Sequence, residues 1–223
     1  MNLTIITLFP EVFAPTVSTS ILKRAEDRKL VKFKFLNPRD FAEDARKTVD
    51  DKPYGGGPGM VLKVDVISKA LSSIKPRPYI ILLSASGAKF TQSKAQILSK
   101  KKNVALICGH YEGVDARIED YVDEVLSVGD YVLTGGEIPA MVILDTVVRL
   151  IPRVINSKSS TDESFEKNLL EYPQYTRPEI YQKKAVPKIL LTGDHKQIAK
   201  WRQAEALKRT KKYRPDLLQP KTK

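Results

Sequence analysis

Thiols and imidazoles are scarce in this chain of 223 residues, which has one cysteine and two histidines. Cys108 has no partner for an internal disulfide, and with only His110 and His195 beside it no ligand set for a structural zinc remains. A thiol-based or metal-cage mechanism is disfavoured. Cys108 ends an apolar run and reads as a small buried hydrophobe rather than a nucleophile. Long hydrophobic runs are also missing. The richest segment, Ile138 to Ile151, is interrupted by Asp145 and Arg149 and falls short of the roughly eighteen uninterrupted apolar residues of a membrane span. No membrane partner is expected. The opening, Asn2 to Phe9, has neither a basic n-region nor a cleavage-like site and reads as a first strand, so the expected location is cytoplasmic.

Two nucleotide-binding fingerprints are absent as well. The run Tyr54-Gly55-Gly56-Gly57-Pro58-Gly59-Met60 is rich enough in glycine to cradle phosphate, but Val61-Leu62 follows Met60 where a P-loop needs Gly-Lys-Ser/Thr. With Pro53 and Pro58 it is better read as a shaped loop for a flat ligand or an RNA backbone. No Gly-x-Gly-x-x-Gly marks a dinucleotide site either.

What the chain does have is two further glycine-marked stretches, each after an apolar run: Cys108-Gly109-His110-Tyr111-Glu112-Gly113-Val114-Asp115 and Val128-Gly129-Asp130-Tyr131-Val132-Leu133-Thr134-Gly135-Gly136-Glu137. Residues without a Cβ let strand-end loops approach a ligand and offer it backbone N–H and C=O groups. Ordinary turns explain one such loop more easily than two so close together.

Charge separates these loops from the rest. Residues 1–103 carry 19 Lys/Arg against 9 Asp/Glu, residues 104–150 carry 2 against 9, and residues 151–223 carry 17 against 8. A polyanion is attracted to both ends and repelled from the middle, which suggests nucleic acid held by the flanks and a different, cation-tolerant ligand at the glycine loops. Solvated lysine-rich faces are the alternative on charge alone.

Apolar, β-branched runs at Leu3–Leu8, Val31–Leu36, Tyr79–Ser84, Val104–Cys108 and Glu124–Val128 read as strands. Helical patterns lie between them at Pro10–Lys29, Lys63–Ile74, Thr91–Lys101 with Thr91 as N-cap, Ala116–Val122, and Glu137–Ile151 with Pro139 in its first turn. This alternation predicts an α/β fold on a mostly parallel sheet, with ligands at the carboxyl ends of its strands. After Pro152 a polar, aperiodic stretch, Asn156 to Ser164, reads as a linker. The basic helix that follows, Asp194 to Lys212, sets Ile198, Trp201, Ala204 and Leu207 at helical spacing. Arg149 stands four residues after Asp145, which allows either a local ion pair or a functional cation.

Thr48 to Met60, the Cys108 to Asp115 loop, the Val128 to Glu137 loop with Ile138-Pro139-Ala140-Met141, and Tyr175-Thr176-Arg177-Pro178 together resemble the bacterial tRNA guanine-N1 methyltransferases of the SPOUT superfamily, in family order over nearly the whole chain. The resemblance implies a SPOUT catalytic domain at 1–155 whose sheet ends in a deep trefoil knot, a flexible linker at 156–165, and a small all-α, basic tRNA-binding domain at 166–223. It further implies a homodimer with active sites at the subunit interface and methylation, from S-adenosylmethionine, of N1 of the guanosine at position 37 of tRNA, immediately 3′ of the anticodon.

Carried over by position, the cofactor contacts are Leu82, Leu83, Ser84, Gly109, Tyr111, Val128, Gly129, Asp130, Tyr131, Val132, Leu133, Gly135, Gly136 and Pro139. Substrate contacts fall on Asp50, Tyr54, Pro58, Gly59, Arg177, Lys200, Arg202, Lys208 and Arg209, with Lys211, Lys212 and Arg214 adding to the tRNA grip. Arg149 matches the family's catalytic arginine. The family's general base is an aspartate, and here that position is Glu163, so either Glu163 serves or Asp162 shifts in. Glu112 matches a residue near the methyl acceptor, suited to placing guanine or a magnesium ion, which makes magnesium a second candidate cofactor. Gln174 departs from the histidine found in many relatives. A non-catalytic RNA-binding protein that kept the fold is the competing reading, and a phosphate-binding NTPase is a third.

Overall fold

Seven strands form in the first part of the chain: β1 (Asn2–Ile6), β2 (Lys32–Leu36), β3 (Asp50–Asp51), β4 (Val61–Leu62), β5 (Tyr79–Lys89), β6 (Asn103–Cys108) and β7 (Glu124–Ser127). The computed structural model describes residues 1–155, 163–165 and 168–219. Five of the strands make one sheet in the order β2-β1-β6-β5-β7, and every pairing in it is parallel. The two-residue strands β3 and β4 pair separately and antiparallel.

Alternate residues of the central strands feed two cores, one on each face of the sheet. Leu3, Ile5, Ile81, Leu83, Leu106 and Cys108 point to one side, and Ile6, Ile80, Leu82, Ala105 and Ile107 to the other, all buried. The first core is closed by α2 (Ser20–Asp27), α4 (Gln92–Leu98) and α5 (Glu137–Val148), the second by α3 (Val64–Ser72) and the 3₁₀ turn Ala116–Tyr121. A parallel sheet covered on both faces needs near-continuous apolar strands, which explains the unbroken runs of β1 and β6, whereas the edge strand β2 alternates lysine and phenylalanine. Each fully buried Leu or Ile contributes roughly 1.5–3 kcal/mol before entropy is set against it.

Two helix expectations are met at their caps. The Thr91 hydroxyl accepts the Lys94 N–H at 3.3 Å, and Pro139 sits in the first turn of α5, where a missing N–H costs nothing. The single helix expected over Pro10–Lys29 is instead broken into a 3₁₀ turn at Pro10–Phe13, α1 (Ala14–Val17) and α2. Pro10 and Pro15 supply no N–H, the Thr19 hydroxyl donates back to Pro15 O at 2.9 Å, and Ser20 has φ of 50°, so the helical ladder cannot run through.

The chain divides into two compact units, 1–155 and 156–223. The second is not all helical. Besides α6 (His195–Tyr213) it carries an antiparallel ribbon of β8 (Ile180–Tyr181) and β9 (Lys184–Ala185), turned by Gln182 and Lys183 at positive φ. Asp194 caps α6 by accepting N–H groups of Lys196 and Gln197 at 3.0 Å each, and these bonds, Gln197 foremost, hold its carboxyl below the usual range. The buried face of α6 is Ile198, Ala206 and Thr210, while Ala204 and Leu207 are exposed, contrary to the expected stripe. The cause is Thr210, whose hydroxyl donates to Ala206 O and accepts the Leu170 N–H, both at 2.8 Å, and so turns a polar residue inward. Among the described residues no helix is long and apolar enough to cross a membrane.

Candidate functional site

A cavity of about 360 Å³ opens at the carboxyl ends of β5, β6 and β7, where the two glycine loops meet. Its floor is apolar: Leu82, Leu83, Leu126, Val128, Leu133 and Pro139. Backbone forms much of the rest, through Ser84, Gly109, Gly129, Gly135 and Gly136. The loops are bonded to each other, since Gly136 N–H donates to Gly109 O at 2.8 Å and His110 forms an antiparallel bridge with Gly135. Tyr111 reaches the wall at φ 59°. Two carboxylates, Glu112 and Glu119, line the cavity, and among the described residues no lysine or arginine does. The acidic middle segment is thus concentrated where a ligand would sit, which favours a cationic one.

Of the fourteen cofactor positions expected from sequence, Asp130 alone does not line this cavity. Its carboxylate meets Lys89 Nζ at 2.8 Å on the surface instead. The Gly55–Gly59 run leads into β4 rather than into a helix N-terminus, so it lacks the anion-binding geometry of a P-loop. It is tied to the cavity wall through Glu112 N–H, which donates to Met60 O at 3.0 Å, and Gly59 lies directly against the Glu112 side chain. Of the remaining substrate positions in this unit, Asp50 sits in β3, while Tyr54 and Pro58 are exposed.

Sequence reading overlooked three residues here. His110 and Glu119 line the cavity, and Glu137 lies buried behind it. A signal for Glu137 was present: an acid at the head of an otherwise apolar helix must be paired or capped to be tolerated. Burial, reinforced by the charge of Glu137, pushes the Cys108 thiol well up, so it stays protonated and is no nucleophile. Among the described residues no group of three or more His, Cys, Asp or Glu is placed to hold a metal ion.

Close approach at Gly136 is what brings the loops together. A Cβ there would lie 2.6 Å from Cys108 Cα and 2.9 Å from Gly109 N, both backbone atoms that cannot swing aside. Gly136→Ala is therefore expected to destabilise the fold by about 1–3 kcal/mol, in the manner of overpacking. Urea denaturation measures it, and an unchanged midpoint would show that the loops separate freely.

A family model described as tRNA (guanine-1)-methyltransferase TrmD matches residues 1–220. The chain belongs to the TrmD family. It is 53% identical over 221 residues to the tRNA (guanine-N(1)-)-methyltransferase of Dictyoglomus turgidum, covering 98% of this chain and 90% of that protein. It is 51% identical over 224 residues to the protein of the same name from Geobacillus kaustophilus, covering 98% and 91%.

The structure does not gather every position that the TrmD family suggests. Arg149 is the C-cap of α5, and Pro139 at the cavity is in the first turn of the same helix. Ten residues of helix separate them by about 15 Å, and Arg149 is not among the residues that line the cavity. Asp162 lies outside the described residues, as does the rest of 156–162. Glu163 is half-buried in a turn of the second unit. In that unit the Arg202 guanidinium sits over the Tyr172 ring at 4.7 Å, Lys208 meets Glu205 at 3.6 Å, Arg209 lies 5.8 Å from the Tyr213 ring, and Arg177 and Lys200 are exposed.

Proposed function

We propose that this chain methylates N1 of the guanosine at position 37 of tRNA, immediately 3′ of the anticodon, using S-adenosylmethionine and working as a homodimer in the cytoplasm. The observation that carries the reading is the backbone-lined cavity with two carboxylates and, among the described residues, no lysine or arginine, in a chain of the TrmD family. Its volume and apolar floor suit an adenine ring, and its acidic lining suits a sulfonium and an ammonium group.

S-adenosylmethionine, when bound, supplies an electrophilic methyl group. The protein must then remove the N1 proton of guanine and answer the negative charge that builds on O6. Glu163 takes the proton and Arg149 faces O6. Glu112, at the cavity wall beside Gly59, positions the guanine ring edge. The basic second unit, with Arg177, Lys200, Arg202, Lys208 and Arg209, holds the phosphate backbone. Because Arg149 is remote from its own cavity, the active site takes it from the partner. A stripe on α5 supports that pairing: Ile138 and Val142 are 53% and 43% exposed one turn apart, on a face that continues to the exposed Asp145, while the other apolar residues of the helix are buried or half-buried. A deep trefoil knot at the carboxyl end of the sheet belongs to the same proposal.

The reaction is tested by incubating the purified protein with labelled cofactor and tRNA transcripts carrying guanosine or adenosine after the anticodon. The expected product is 1-methylguanosine from the first transcript alone, identified by mass spectrometry after digestion. Cofactor and tRNA binding without transfer would return the chain to a non-catalytic RNA-binding role.

A further inference from the structure

At the cavity wall and behind it lies a set of polar side chains that the proposed chemistry does not use. Glu137, the first residue of α5, is 8% exposed. Its Oε1 accepts the Thr7 hydroxyl at 2.8 Å in a buried hydrogen bond. Its Oε2 stands 3.8 Å from His110 Nδ1. That nitrogen is the one buried side-chain N or O atom among the described residues that has no hydrogen-bond partner. The His110 ring is fixed by Tyr111, edge-on with centroids 4.8 Å apart, and by Phe9 at 4.9 Å.

Thr7 follows β1, His110 belongs to the first glycine loop, and Glu137 to the exit of the second. The three converge beneath Gly135, where a Cβ would meet both Glu137 Oε2 and His110 Nδ1 within 2.7 Å. A buried imidazole nitrogen with no partner is under-satisfied. The second oxygen of Glu137 is the acceptor that stands beside it. The gap exceeds hydrogen-bond length by about an ångström, and the elements that must move to close it are the two loops that line the cavity.

We propose that Thr7, Glu137 and His110 form a positioning strut for the cofactor. Seating of the ligand draws the glycine loops together, the His110 Nδ1–H donates to Glu137 Oε2, and the bond so made contributes to affinity for the cofactor rather than to the methyl-transfer step. The proposal rests on the S-adenosylmethionine reading. Thr7 anchors the carboxylate, Tyr111 carries the movement of His110 to the cavity wall, and none of the three strut residues touches the reacting atoms.

The test combines equilibrium binding, steady-state kinetics and a spectroscopic signature. Glu137→Leu, which keeps the volume and removes both oxygens, and His110→Leu are each expected to raise the Kd for S-adenosylmethionine about tenfold, with kcat at saturating cofactor changed less than about threefold. The double variant is expected to be no weaker than either single, because the two remove one bond. His110→Asn, whose amide N–H overlays Nδ1–H, restores the Kd to within about threefold of the wild type. In protein labelled with ¹⁵N-histidine, a protected Nδ1–H resonance emerges on adding S-adenosylmethionine and is lost in Glu137→Leu. With two histidines in the chain, His110→Asn assigns it. Additive losses, an unchanged Kd, or cofactor binding by the wild type without the resonance would each overturn the strut. Failure of the wild type to bind S-adenosylmethionine at all would instead overturn the reading on which it rests. Should Glu137→Leu not fold, the wild-type titration and the His110 pair still decide.

Discussion

Glu163→Gln is expected to lower kcat by about 10²–10⁴-fold, the range of a lost general base, while the Kd for S-adenosylmethionine stays within about twofold of wild type. Asp162→Asn is expected to cost less than about tenfold. Guanine N1 is protonated at neutral pH, and its lone pair attacks only as that proton leaves, so the step needs a carboxylate at a fixed place. In the proposed mechanism the turn that carries Glu163 supplies one. Ser164 Oγ accepts the Glu171 N–H at 3.1 Å, Phe165 N–H donates to Leu169 O at 2.7 Å, and the Arg214 guanidinium lies over the Phe165 ring at 5.6 Å. These contacts pin the residues directly after Glu163 to the second unit, so Glu163 is held by its neighbours. Its extra methylene relative to aspartate adds reach and a rotamer, a cost that positioning can absorb. Single-turnover kinetics with pre-bound cofactor separates chemistry from binding. If Asp162→Asn proves the slower variant, the base is Asp162 and Glu163 serves the turn.

The sheet was legible because burial on both faces writes itself as unbroken β-branched runs, and the cavity because glycines cluster only where backbone is crowded or exposed to a ligand. Strand order was not. Placing β6 between β1 and β5 depends on contacts between residues about a hundred positions apart, such as Leu3 with Val104, which no local period records. The two-residue strands β3, β4, β8 and β9 are too short to show any alternation. At α6 the spacing of Ile198, Trp201, Ala204 and Leu207 named the wrong stripe because one tertiary bond to Leu170 outweighed the preference of a hydroxyl for solvent. The family motifs pointed to most of the cavity residues but not to Glu119 or Leu126, and could not show that Asp130 spends its charge on Lys89. Nor could they reveal Glu137 and His110 as a pair, since their proximity exists only once the loops have folded against each other.

Arg149 carries the second large effect, and its position in the fold dictates how to test it. Arg149→Ala is expected to lose about 10²–10³-fold in kcat, as when one preorganised donor to developing negative charge is removed. That loss alone would not say which protomer's cavity the guanidinium serves. Gly109→Leu provides the partner variant. A Cβ at Gly109 meets nothing nearer than 3.4 Å, so the backbone tolerates it, whereas a longer side chain intrudes on the cavity that Gly109 lines. Homodimers of either variant are expected to be nearly inactive, the first lacking the arginine and the second the cofactor. A heterodimer, purified through two different tags, should recover about half the activity of the wild-type dimer, because one of its two sites then joins an intact cavity to an intact Arg149 from the other chain. Were Arg149 to act within its own protomer, no site in the heterodimer would be complete and activity would stay at the level of the parents. The placement of Arg149 favours recovery: it caps the far end of α5, about 15 Å along the helix from Pro139 at the cavity, and a two-fold pairing over the Ile138 and Val142 stripe is the simplest arrangement that would bring the far end of one α5 to the cavity of the other.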